Sequence, residues 1–71
     1  MKLEAKLYYI NQKEELTPVR GLINFIVEDE EKGVTKLIMS TGIVIDIDPR
    51  THSLTKDAEG NYYTKLKGEM Y

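Results

Sequence analysis

Seventy-one residues with 41% hydrophobic and 31% charged side chains describe one small soluble domain rather than a disordered tail. Such a chain buries only about 60% of the surface it exposes when unfolded, so its core is thin. The absence of cysteine excludes disulfides and thiolate metal sites, and a single histidine, His52, excludes the usual imidazole zinc centres.

The net charge of −2 is unevenly distributed. Residues 1–20 and 49–71 each carry net +1, whereas residues 21–48 hold six acids against Lys32 and Lys36, net −4. No apolar run approaches the roughly 20 residues that span a bilayer. The charged start, with Lys2, Glu4 and Lys6, does not read as a signal-peptide core, so a cytoplasmic location without membrane contact is expected.

In chain order, "KLEAKLYYIN" alternates, with Leu3, Ala5, Leu7 and Tyr9 on one side, and predicts a half-buried strand. "NQKEEL" follows; Asn11 and Glu14 have the spacing of a capping box, and a single helical turn or a polar hairpin loop fits. Pro18 ends that segment. "VRGLINFIVE" (19–28) is rich in β-branched and aromatic residues and predicts a strand. Its inward residues are expected to be Val19, Ile23, Phe25 and Val27, with Leu22 and Ile26 on a second apolar face.

"DEEKG" predicts a tight turn closed by Gly33. "VTKLIM" returns as a strand, Gly42 marks a bulge or sharp bend, and "IVIDID" continues with Ile43, Ile45 and Ile47 inward. Asp48-Pro49 begins a turn. "HSLTKD" and "NYYTKLKG" then flank a hairpin turn at Gly60-Asn61. The fold expected is all-β or β-rich α+β: a small meander or barrel of four to six strands with at most one short helix. It forms a single domain over 1–71 with a flexible tail at 69–71. The core is assigned to Val19, Ile23, Phe25, Val27, Ile38, Ile43, Ile45 and Ile47. A homodimer contact through Leu22, Ile26, Tyr8 and Ile10 would help a core this thin.

No nucleophile elbow, phosphate-binding loop or dinucleotide fingerprint is present. His52 lies between Thr51 and Ser53, and strand neighbours point to opposite faces, so this is not a triad; His52 reads as a surface or turn residue. "DID" (46–48) and "DAEGN" (57–61) are incomplete as calcium loops and read as turn and edge charges. The expectation is a non-enzymatic protein without metal or cofactor. Tyr62 and Tyr63 with Lys65 and Lys67 offer an alternative, a small nucleic-acid-binding barrel. Four bases against three acids in that third of the chain make a poor electrostatic footprint for nucleic acid.

The acidic run Glu28, Asp29, Glu30 and Glu31 stands out. A solvated hairpin tip that discourages edge aggregation accounts for it in part. Four adjacent carboxylates nevertheless repel at about 1 kcal/mol per close pair even in high dielectric. Asp46 and Asp48, on outward parity, extend the negative field if their strand lies near the run. Small size, no cysteine, a β-rich body and these clustered carboxylates give the chain a character that resembles the small DNA-mimic inhibitors made by phages against host DNA-binding proteins, including histone-like ones. The resemblance is one of character and not of motif. It implies a protein-binding inhibitor whose partner-binding residues are Glu28, Asp29, Glu30, Glu31, Asp46 and Asp48, and whose partner is a basic DNA-binding protein. A third reading is an accessory subunit that binds through its second apolar face.

Overall fold

The computed structural model describes residues 2–67; the expected tail at 69–71 lies outside them. Within that range the chain is all-β, with seven strands in two sheets. The first sheet has the order β2-β1-β7-β6, from β1 (Leu7–Ile10), β2 (Leu16–Pro18), β6 (His52–Lys56) and β7 (Tyr62–Leu66). The second is a meander, β3 (Ile23–Asp29), β4 (Val34–Met39) and β5 (Val44–Ile47), in sequential order. All pairings are antiparallel except β1 with β7, which run parallel.

The residues expected to loop or turn do so for legible reasons. Asn11 caps the β1–β2 connection: its side-chain oxygen accepts from the amides of Lys13 and Glu15, and its Nδ2 donates to Glu15. The reach-back partner is therefore Glu15 rather than Glu14, and the segment is a hairpin loop, not a helical turn. Gly33 takes a φ of 69° and donates to the Asp29 carbonyl, closing the β3–β4 turn. Gly42 marks a complete reversal between β4 and β5, of the two options the sharp bend, with its amide donating to Met39. Gly21 is required for close approach. A Cβ there would meet the Thr41 and Ser40 side chains at 2.8 and 2.9 Å, and its φ is 89°.

The two sheets are stitched together by residues 3–5. Ala5 and Ile23 exchange backbone hydrogen bonds, and the Leu3 amide donates to the Asn24 carbonyl. At the same place β3 carries an irregularity against β4: Ile23 pairs with Met39, but Phe25 pairs with Ile38. One extra residue is thus inserted at Asn24, and everything after it changes face.

That insertion corrects the expected core. The buried apolar residues are Ala5, Leu7, Ile23, Leu37, Met39 and Ile47, with Val19, Ile26, Ile45, Leu54 and Tyr62 packed against them. Ile23 and Ile26, three apart, both face inward, and Ile26, Leu37 and Ile45 form one cross-strand row. Phe25 and Val27 are turned out instead, at 42% and 44% exposure, and Ile43 stands at 59% in the turn. Ile38 lies in the outer row with Phe25 and Val44. The expected dimer face also dissolves. Ile26 points into the core, Tyr8 and Ile10 belong to the other sheet, and only Tyr8 and Leu22 share a shallow hollow.

Truncation distinguishes the two registers. Leu37→Ala and Ile23→Ala, at fully buried positions, should each cost about 2–4 kcal/mol. Phe25→Ala should cost about 1 kcal/mol or less, because nearly half its side chain is already wet. Urea denaturation of the three variants measures this, and equal losses at Phe25 and Leu37 would contradict the inserted residue.

Candidate functional site

β3 and β5 run in the same direction on either side of β4, so their C-terminal ends lie at the same end of the sheet as the β3–β4 turn. Residues 28–31 and 46–48 are therefore brought together, separated by the width of one strand. Neighbouring strands lie about 4.8 Å apart, which sets β5 about 10 Å from β3. The strand between them supplies Lys36, paired in register with Val27 on one side and Asp46 on the other.

The six carboxylates have different fates. Lys36 Nζ lies 3.5 Å from Asp46 and 3.9 Å from Asp29, bridging the two strands across the outer face. Asp29 also accepts from the Lys32 amide and so holds the turn. Glu28, one residue earlier and on the opposite parity, accepts from the Thr35 hydroxyl at 2.8 Å. Asp48 receives both the side chain and the amide of Arg50, and these hydrogen bonds keep its carboxyl below the ordinary range. Arg50 is raised in turn by Asp48. Among the described residues, Glu30 and Glu31 alone of the six have no side-chain partner, and both are exposed.

The outer face of β3–β5 is an ordered series of rows. Phe25, Ile38 and Val44 form an apolar row; Val27, Lys36 and Asp46 form the next; Asp29 with Val34 leads into the tip that carries Glu30 and Glu31. Asp29 and Asp46 thus lie on the same face of the sheet as the apolar row. The sequence reading missed the apolar part because it assigned Phe25 to the core. The signal that could have found it is the Asn24 interruption, a polar residue within an apolar strand.

On the other sheet, Tyr63 faces outward and Tyr62 packs on the core. Tyr63 stacks on Tyr8, with ring centroids 5.4 Å apart and planes inclined by 18°. Its hydroxyl donates to Asp57 at 2.7 Å. Lys65 pairs with Glu14, and Lys67 donates to the Pro49 carbonyl. The groups of the nucleic-acid alternative are thus held by neighbours. Asp57 also accepts from the amides of Glu59 and Asn61 and from the Asn61 side chain. The Tyr63 hydroxyl, then the Asn61 amide, lower its pKa to about 2. Tyr63 is raised correspondingly. The "DAEGN" segment is a turn organised around its aspartate, with its carboxylate oxygens taken by these donors.

His52 opens β6, with its Nδ1 2.8 Å from the Thr51 hydroxyl. A hollow lined by Tyr9, Asn11, Gln12, Lys13, Glu15 and Leu66 is open to solvent. Among the described residues no group of three or more His, Cys, Asp or Glu side chains is placed to hold a metal ion. Within the same range no helix is long and apolar enough to cross a membrane.

Asp57 should give the fold an acid-sensitive component. Its carboxyl titrates near 2 when folded and near 3.8 when unfolded. The stabilisation is therefore complete above about pH 4 and is lost as pH falls through about 2. Asp57→Asn should lower the melting temperature near neutral pH, with the difference from wild type shrinking over that window. A difference that stays constant down to about pH 2 would show that the charge is not what holds the turn.

Compared with models of protein families, with curated proteins and with solved structures, the chain matches none significantly.

Proposed function

We propose that this protein is a non-enzymatic binding module that engages a basic partner through the acidic end of its three-stranded sheet and competes there with nucleic acid. The observation that supports this reading is the division of labour among the six carboxylates. Lys36, Thr35 and Arg50 fix Asp29, Asp46, Glu28 and Asp48 in place, while Glu30 and Glu31 project from the same end without a partner among the described residues. Fixed acceptors around two uncommitted charges suit a surface of lysines and arginines, because little side-chain freedom remains to be lost when the partner arrives.

The acid count along the sequence overstates the field. Lys32, Lys36 and Arg50 sit among the six carboxylates, so the surface is moderately negative rather than a dense run of phosphate equivalents. A DNA-binding groove is still its natural complement, as in the phage-encoded inhibitors that the chain resembles in character. Encounter would be steered by charge and strongly weakened by salt. The nucleic-acid-binding alternative draws less support, since Tyr63 is committed to Tyr8 and Asp57 and Lys65 to Glu14. No catalytic role is proposed for His52, whose described side-chain partner is its neighbour Thr51.

Reversing the tip tests the reading. The wild-type chain, immobilised in bacterial lysate at about 50 mM salt, should retain a basic DNA-binding protein that is released by duplex DNA and by about 0.5 M salt. Glu30→Lys with Glu31→Lys should abolish retention while leaving the melting temperature within about 2 °C, because both sites are exposed. Normal capture by the reversed variant, or direct retention of DNA by the bare protein, would overturn the proposal.

A further inference from the structure

The outer face of β3–β5 presents Phe25, Val27 and Val44 at 42%, 44% and 50% exposure, with Ile38 half-buried between them. A row of this size lies within what monomeric proteins expose, so its extent alone does not mark a contact site; what sets it apart is that the same face carries Asp46 and Asp29. Its size says what does not cover it. Three strands about 4.8 Å apart and about five residues long at about 3.3 Å each give a face of roughly 14 by 16 Å. A second copy laid flat on it would bury roughly 500 Å² in total, within the range of crystal contacts and well below a stable interface. The occupant therefore has to reach beyond the apolar row, and the adjoining outer row, Val27, Lys36 and Asp46, leads from it to Asp29 and the tip.

We infer that the apolar row and the acidic tip form one docking surface for an amphipathic cationic helix. Its apolar stripe would cover Phe25, Ile38 and Val44, and its lysines or arginines would lie against Asp46, Glu30 and Glu31. This rests on the reading of the acidic tip as the partner-binding end and names the form of the partner there. The distance from the Phe25 row to the tip is about 20 Å at about 3.3 Å per residue, which a helix of about 14 residues spans at 1.5 Å rise. Lys36 sits at the junction and pairs with both Asp29 and Asp46, so an arriving cation meets carboxylates already positioned and exchanges with an existing partner. Apolar contact supplies the part of the affinity that salt does not remove.

The test uses the full chain, isotopically labelled, with two 14-residue probes of equal positive charge. One is an amphipathic leucine–lysine helix and the other a lysine–glutamine peptide without apolar residues. The leucine–lysine helix should bind at least about tenfold more tightly. It should lose less affinity between about 50 mM and about 0.5 M salt than the lysine–glutamine peptide does and shift the methyl resonances of Ile38 and Val44 with the amides of Glu30 and Glu31. Phe25→Ser with Val44→Ser should erase the tenfold advantage and leave the lysine–glutamine peptide unaffected. Val44→Thr, which keeps shape and β-propensity, should remove part of it if the double variant does not fold. Equal binding of the two probes would overturn the inference and leave the acidic-tip reading standing. Binding of neither would overturn both. Shifts confined to another surface, or sedimentation showing a dimer that Val44→Thr disrupts, would also overturn it.

Discussion

One inserted residue, at Asn24, decides which side chains this small protein keeps inside. A strand has a period of two, so a single extra residue exchanges its faces. Ile23 before the insertion and Ile26 after it both point inward, whereas Phe25 and Val27 point out. The same residues accept the N-terminal segment, with Ala5 and Leu3 bonded to Ile23 and Asn24. The bulge thus joins the sheets, fixes the core and creates the exposed apolar row together. A larger protein would absorb a misplaced phenylalanine. Here the core is six buried residues and their neighbours, so the choice of face determines both what is packed and what is displayed.

Much of the architecture was legible from local chemistry. Glycines at 33, 42 and 60 and the Asp48-Pro49 pair mark four of the reversals, and the alternation of Leu3, Ala5, Leu7 and Tyr9 marks a half-buried strand, of which Ala5 and Leu7 are buried while Leu3 and Tyr9 stay exposed. Three features were not legible. Leu16–Pro18 forms an edge strand although it is short, exposed and ends in proline, because only its pairing with β1 defines it. The parity of Phe25 and Val27 depends on an insertion that composition does not announce. The role of Asp57 lies in a side-chain contact with Tyr63 across its own hairpin; the turn itself was evident, its organising carboxylate was not.

The acidic region shows the same limit in electrostatic form. Charge summed along residues 21–48 gives −4, yet charge is felt in space, and register sets Lys36 between Asp29 and Asp46. Sequence adjacency made Glu28 to Glu31 look like one feature. Alternation separates Glu28, turned toward Thr35, from Asp29 on the outer face, and the turn then carries Glu30 and Glu31 away from both. The expected six-residue patch resolves into four anchored carboxylates and two exposed ones, adjoining an apolar row rather than standing alone.

The parallel pairing of β1 with β7 carries a consequence for how the molecule forms. The β3–β4–β5 meander closes through short turns and can assemble from local encounters within microseconds to milliseconds. The first strand, by contrast, finds its central neighbour only at the far end of the chain, and the ion pair between Glu14 and Lys65 joins residues 51 positions apart. Until β7 is available, β1 has only the short β2 beside it, and Leu7 lacks the cover that Tyr62 provides in register. The three-stranded sheet can therefore form its hydrogen bonds from local encounters before β1 and β7 pair and close the core over its inner face.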